Sequence, residues 1–384
     1  MIIKQSTIKS NRKTIVISAV NLTNGGTLSI LKDCLSYASH ELTEHYKLIA
    51  LVHDKALFDV EGIDYIEFPK SKKSWLLRLY YEWFHFKSLS TKLNPFLWLS
   101  LHDMTPRVNA ERLAVYCHNP SPFYQIKLEE AFIDPKFALF NMLYSFIYKI
   151  NIDKNDWVIV QQEWLRKEFF LRYPIRTCIR ANPAIPQVHV PISNENKSTE
   201  DIVFFFPTLS RFFKNIEIIG EASSLLNKAG YNNFEVQLTI DGTENKYARK
   251  IFNRYSDIPQ IKFIGLQPRE RVFEIYEKAD CLIFPSKLET WGLPLSEFKL
   301  FDKAIIAADL PYAHETVGQY DKVKFFDPNN ANMLAKNMIA LLEGQLKFDS
   351  SPHVPPEQPF AGNWDELFNI LLGPIKELGV KHAE

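Results

Sequence analysis

Two clusters in this chain have residue types and spacings that could do chemistry. The first is Glu289 and Glu297 in the run ETWGLPLSE, with seven residues between the two acids. Gly292 permits a backbone conformation that other residues resist, and Pro294 suits the start of a helix, where early N–H groups lack partners. A helix start attracts anions, so both carboxylates could line one pocket beside it. The helix dipole alone also favours Glu in a first turn. The second cluster is Arg211 and Lys214 in LSRFFKN, just before a helix that Asn215 is expected to cap. Two cations beside a positive helix end repel one another unless an anion is present, and a diphosphate would resolve the conflict. A solvated pair on a loop is the alternative.

The elements that must position these groups follow from periodicity. Cys281–Phe284 reads as a buried strand closed by Pro285 and Ser286, and Ile202–Phe206 as the strand before Arg211. Further strands are expected at Phe234–Ile240, Ile261–Ile264, Ala304–Ala308 and Lys324–Phe326, with helices at Ile216–Ala229, Pro268–Lys278, Asn330–Leu342 and Trp364–Leu378. Upstream, TIVISAV (Thr14–Val20) is a strand leading through Asn24-Gly25-Gly26 into an amphipathic helix with Thr27 as its cap. The two glycines would let a phosphate or sugar approach the backbone, although a tight turn alone also uses Gly-Gly, and GxGxxG spacing is absent. Strands at Leu48–Val52, Tyr65–Phe68, Leu97–Leu101, Leu113–Cys117 and Trp157–Gln161 complete a parallel α/β pattern. Ligands in such sheets sit beyond the carboxyl ends of the strands. His102-Asp103 and His118-Asn119 fall at two of those ends; they either cap the sheet or line a cleft.

A chain of 384 residues, 46% of them apolar, is long enough for two cores. The composition break at 183–201, rich in Pro and then in Asn and Ser, is the expected linker. The expected domains are 1–190 and 191–360, followed by a C-terminal helix in 361–384 that can cross back to brace the first. Lys and Arg (45) balance Asp and Glu (45), so no global field points to nucleic acid. Four cysteines without CxxC spacing argue against a zinc site or a disulfide framework and fit a reducing compartment, with the cytoplasm as default. The first residues are too polar for a signal-peptide core, and no apolar run reaches membrane-spanning length. Residues 70–92 interleave Lys and Arg with Trp, Tyr and Phe, and 137–148 are similarly aromatic. Both allow peripheral membrane contact, while core packing explains the aromatics equally well.

With both clusters in view, the chain resembles retaining glycosyltransferases of the GT-B fold, specifically family 4 of the sequence-based classification. The resemblance rests on the E-x7-E run Glu289–Glu297, the FPS before it, the strand ending in Asp309 followed by LPYAHETVG, and RFFKN; NGG and His118-Asn119 support it more loosely. It is specific in the second half and architectural in the first. It implies an α/β chain of two Rossmann-like domains facing across a cleft. It implies that Arg211 and Lys214 hold the donor diphosphate, Glu297 the ribose hydroxyls and Glu289 the donor sugar. Backbone amides near Trp291, Gly292 and Leu293 would complete the sugar and phosphate contacts. Gly25 and Gly26 would border the phosphate, with His118 near the transferred sugar; Asp103 and Asn119, from their place at the strand ends, are expected to line the site. Trp291 stands where many relatives carry Phe or Tyr, and Phe301-Asp302-Lys303-Ala304 replaces their Gly-Lys/Thr-Pro turn; both departures bear on sugar choice.

The implied reaction needs no cofactor and, without a DxD element, no metal; its donor substrate is a nucleotide-diphosphate sugar. The partners implied are that nucleotide sugar and a glycan or lipid-linked glycan acceptor, as in surface polysaccharide synthesis. A sugar-nucleotide epimerase or hydrolase, or a non-catalytic nucleotide-sugar-binding subunit, are the alternatives.

Overall fold

A computed structural model of the chain describes residues 12–182, 201–350 and 355–374. The linker expected at 183–201, and the domain boundary within it, lie outside the described residues apart from Asp201. The strands are β1 (Lys13–Ala19), β2 (Tyr46–Val52), β3 (Ile63–Glu67), β4 (Leu97–Ser100), β5 (Arg112–Cys117), β6 (Trp157–Val160), β7 (Cys178–Ala181), β8 (Ile202–Phe206), β9 (Phe234–Leu238), β10 (Ile261–Phe263), β11 (Cys281–Phe284), β12 (Ala304–Ala308), β13 (Val323–Phe326) and β14 (Phe360–Ala361). The helices are α1 (Gly25–Glu41), α2 (Trp75–Tyr80), α3 (Phe86–Leu93), α4 (Leu128–Ile133), α5 (Pro135–Lys149), α6 (Glu163–Arg172), α7 (Ile216–Lys228), α8 (Lys246–Tyr255), α9 (Arg269–Lys278), α10 (Leu293–Lys299), α11 (Pro311–Val317), α12 (Ala331–Leu342) and α13 (Trp364–Leu372).

Two compact units result: Met1–Pro122 with Met142–Ala184 and Glu357–Glu384, and Phe123–Asn141 with Ile185–Pro356. The first is built on an eight-stranded sheet in the order β14-β7-β6-β5-β4-β1-β2-β3, the second on a six-stranded sheet in the order β10-β9-β8-β11-β12-β13. Every pairing is parallel. Parallel strands are covered on both faces, which is why their residues are apolar almost without alternation.

In the first unit the period-two rule sorts β1 cleanly. Ile15, Ile17 and Ala19 face a core shared with Leu31 and Leu35 of α1 and Leu367, Phe368 and Leu371 of α13. Val16 and Val20 face the opposite core with Phe86 of α3, Phe68 and Trp98. Thus the last described helix packs on the first sheet, and β14 extends that sheet's edge through Phe360 and Ala361 beside Arg180 and Ala181. Sequence periodicity does not find β14, β7, α8 or α11. It also places Thr27 as the cap of α1, whereas Asn24 holds the N-cap position without a side-chain bond to the helix. Thr27 Oγ1 instead donates to the Asn24 carbonyl at 3.3 Å.

Candidate functional site

In the second unit the strand ends β8 and β11 lie side by side, which brings distant residues together. After β8 the chain makes a 3-10 turn, Phe212–Lys214, and enters α7 through Asn215, whose φ of 57° is left-handed. Asn215 does occupy the N-cap position, but not by capping with its side chain. Its amide donates to the carbonyls of Pro285 (3.2 Å) and Pro328 (2.8 Å), tying this loop to the end of β11. Lys287 N donates to Phe213 O at 2.7 Å and strengthens the tie. Lys214 Nζ thereby reaches Glu289 Oε1 at 2.5 Å, with 18% and 14% of the two side chains exposed. Phe284 lies beneath the ammonium, 5.9 Å from ring centroid to Nζ.

The loop between the two glutamates is held by its own aromatics. Gly292 has φ of 80°, and a Cβ there would stand 3.3 Å from Phe284 and from Leu295, so only Gly fits this turn without strain. Trp291 is buried; its indole N–H donates to Ser296 Oγ at 2.8 Å and its carbonyl accepts from Thr316 Oγ1. Tyr312 donates to Ser286 O at 2.6 Å. The Trp291 indole and carbonyl therefore both serve the loop's shape. Leu293 opens α10, where Gly292 supplies no side-chain cap.

Glu297 lies in the second turn of α10 rather than the first. It is buried, and its oxygens meet Arg269 Nη2 at 2.5 Å and Tyr276 OH at 3.1 Å. Burial raises its pKa despite Arg269 and Tyr276, which pull the other way. Arg269 is a site residue that the sequence reading misses. Its only signal was its place as first residue of α9, and nothing local announces a partner 28 positions away. Arg211 stands apart from these pairs: its side chain is 56% exposed, with Nη1 4.0 Å from Asp134 Oδ2.

In the first unit a second cluster forms at the carboxyl ends of β1, β4 and β5. Asp103, left-handed at φ 70°, is the clamp. Its Oδ1 accepts from the backbone N–H of His118 (2.5 Å) and Asn119 (3.0 Å) and from Tyr148 OH (3.1 Å), and its Oδ2 from Tyr144 OH (3.2 Å). Asp103 was expected to line the ligand site directly, but these internal donors occupy its carboxylate. His118 is buried, its ring tilted against Tyr116 with centroids 4.3 Å apart, and neither ring nitrogen makes a hydrogen bond of good geometry. Burial lowers its pKa, opposed by Asp103 and the Leu101 carbonyl, so the neutral ring is favoured. Asn119 Oδ1 accepts from Ser121 N (3.1 Å) and Oγ (2.6 Å), while its amide nitrogen is buried without a partner.

His102, fully buried, bridges the ends of β1 and β4. Its Nε2 is 3.3 Å from Ser18 Oγ and 3.2 Å from Glu82 Oε1. With the Asn21 amide turned to satisfy both neighbours, its nitrogen donates to His102 Nδ1 at 2.7 Å and its oxygen accepts from Arg78 Nη1 at 3.1 Å. His102 is thus a sheet-capping histidine. Gly25, with φ of 65°, opens α1 at this edge; a Cβ there would meet nothing within 4 Å. The left-handed turn, not crowding, calls for glycine, and the space beside it is open. Gly26 follows in the first turn of α1.

Residues 191–353 match the model of the family described as glycosyl transferases group 1. Two solved structures cover nearly all of the chain. WaaG, a glycosyltransferase involved in lipopolysaccharide biosynthesis, superposes with a TM-score of 0.62 at 14% identity over 94% of this chain and 100% of its own. Sucrose-phosphate synthase from Thermosynechococcus elongatus gives 0.62 at 16% identity over 87% of this chain and 90% of its own. The fold is GT-B. An Anabaena protein, HepE, solved in complex with UDP-glucose, is similar at a TM-score of 0.60 and 14% identity, over 86% of this chain and 90% of its own. No curated protein sequence matches. This GT-B chain has, among its described residues, no group of three or more His, Cys, Asp and Glu side chains placed to hold a metal.

Proposed function

We propose that this protein is a glycosyltransferase that moves a sugar from a nucleoside-diphosphate sugar to an acceptor hydroxyl with retention of anomeric configuration. The observation that carries the reading is the pairing of Lys214 with Glu289 and of Arg269 with Glu297, inside the stretch that matches the glycosyltransferase family. A nucleotide sugar offers complementary partners to these groups: phosphate oxygens for Lys214, hydroxyl donors for Glu289 and ribose hydroxyls for Glu297. Arg211, half-exposed on the same loop, adds a second cation for the diphosphate. Backbone groups of Trp291, Gly292 and Leu293 complete the donor contacts.

In the step proposed, the bond from the anomeric carbon to the phosphate oxygen breaks while the acceptor oxygen attacks from the same face. The acceptor proton passes to the departing phosphate, so neither Glu289 nor Glu297 acts as base. Catalysis rests on electrostatic stabilisation of the leaving diphosphate by Lys214 and Arg211, in a reaction that needs no metal. In the first unit, neutral His118, its backbone held by the Asp103 clamp, offers its ring to a sugar hydroxyl, and Asn119 offers its amide beside it. The acceptor is a glycan or a lipid-linked glycan. Four free, buried cysteines support a reducing, cytoplasmic setting.

Incubation with a panel of nucleoside-diphosphate sugars, with and without candidate acceptors, tests the reading. Release of diphosphate that depends on acceptor, with a product of unchanged anomeric configuration by NMR, is expected. Turnover without acceptor would make the protein an epimerase or hydrolase, and binding without turnover a non-catalytic subunit.

A further inference from the structure

We propose that the first unit carries a docking face for an anionic lipid bilayer, formed by the outer sides of α2 with its π-helical continuation and of the C-terminal half of α5. Both helices present two contrasting sides. The inner side of α2 and the π-helical turn Tyr81–His85 buries Arg78 and Glu82. Their outer side leaves Leu76 79%, Tyr80 52% and Phe84 62% exposed. On α5, Tyr144 and Tyr148 are buried and bonded to Asp103, whereas Met142, Leu143 and Phe146 are 55%, 48% and 64% exposed. At 100° per residue those three, with Ile150 just beyond the helix, fall on a single stripe opposite the tyrosines.

Trp75 and Tyr144 meet edge-on at 6.1 Å and join the two helices into one surface. Large apolar side chains so exposed, on helices whose other sides are fixed by buried hydrogen bonds, mark an interaction face rather than loose packing.

Charge selects the occupant. The chain as a whole is balanced, 45 basic residues against 45 acidic. Between residues 70 and 92, however, stand six basic residues and a single acid, Glu82, which is buried. Lys70, Lys73 and Lys87 are exposed around α2, and Lys149 is exposed beside the α5 stripe. A second copy of the chain would set these charges against themselves. A bilayer with anionic headgroups takes the lysines at its surface and the aromatics at the boundary of the acyl chains. Contact is with one leaflet only, since no described helix is long and apolar enough to cross a membrane.

The face is fastened to the strand-end cluster: Arg78 Nη2 donates to His102 O at 2.8 Å. Under the function proposed above, this favours an acceptor held in the membrane; the docking itself does not depend on that function.

Flotation with vesicles of phosphatidylcholine alone, or with about one-third phosphatidylglycerol, provides the test. The protein is expected to partition onto the anionic vesicles, at least about tenfold more weakly onto neutral ones, and less at high salt. Combined Leu76→Ser, Phe84→Ser and Phe146→Ser substitutions are expected to reduce partitioning about tenfold or more, with an unchanged melting temperature because all three are exposed. Lys70→Gln with Lys73→Gln and Lys87→Gln should abolish the preference for anionic lipid. Donor turnover with a soluble acceptor should persist in both variants, which separates failure of the docking from failure of the proposed reaction. Absence of partitioning in the wild type, equal partitioning of the apolar-face variant, or a dimer in solution that this variant dissociates would each overturn the proposal.

Discussion

The two strand-end clusters solve the problem of keeping polar groups at a sheet edge in opposite ways. In the first unit Asp103 spends its carboxylate on two backbone amides and two tyrosines, leaving the neutral His118 ring and the Asn119 amide nitrogen without good partners. In the second unit the charges satisfy one another, Lys214 with Glu289 and Arg269 with Glu297. The first edge offers neutral hydrogen-bonding groups set by a clamp. The second offers charges that a ligand must part, and only a ligand carrying both anionic and hydroxyl groups repays both halves of a pair. Under the function proposed above, the first edge takes a neutral sugar hydroxyl and the second a diphosphate.

The largest effect should come from Lys214→Ala. Under the proposed role it lowers kcat by roughly 10²-fold or more, since the charge acts on the leaving diphosphate in the transition state. A folded variant with wild-type turnover would end that assignment. His118→Ala is expected to cost about tenfold in kcat with the dissociation constant for the nucleoside diphosphate unchanged. If calorimetry showed diphosphate affinity falling with it, the contrast between the two edges would fail.

Glu297→Gln should weaken nucleoside diphosphate binding by about tenfold, which is 1.4 kcal/mol, while leaving the 2′,3′-dideoxy analogue unaffected. Equal losses for both ligands would remove the ribose role. Arg269→Gln should follow in the same direction with a smaller loss, because Tyr276 still holds the carboxylate.

The smallest effect concerns stability. Burial raises the Glu82 pKa to about 8, with Arg78 opposing. The folded state therefore holds this proton more tightly than the unfolded chain does. Its contribution is complete below the ordinary carboxylate range and is lost as pH rises toward 8. Glu82→Gln, which imitates the protonated acid, should match the wild type near pH 5 and melt a few degrees higher near pH 8. A difference that does not vary with pH would mean that Glu82 is ionised in the folded protein.

Much of this was readable from residue order. Short β-branched or aromatic runs such as TIVISAV and IVFFF could only be buried strands in a chain that alternates with helical periods. Glu289 and the RFFKN cations announced themselves by charge in a loop, and Glu297 by its spacing from Glu289 on the helix that follows. Arg269 did not, because its partner is chosen by α9 and α10 packing together, which no local pattern records. β7 (CIRA) is four residues with a charge in the middle, and it becomes a strand only because β6 offers it an edge. For α8, Asn245 accepts from Ala248 N at 2.9 Å as a cap, and Tyr247, Ala248, Ile251 and Tyr255 share its buried side. That signal was present in the sequence but masked by the lysines and arginines around it. Asp103 was recognised as a strand-end residue, yet its role as clamp depends on tyrosines 41 and 45 positions later.

The most direct test is a crystal structure with a nucleoside-diphosphate sugar bound. The account predicts that the Lys214–Glu289 pair opens, with Lys214 on a phosphate oxygen, Glu289 on a sugar hydroxyl and Glu297 on the ribose. A donor bound elsewhere, or one bound with the Lys214–Glu289 pair intact, would contradict it.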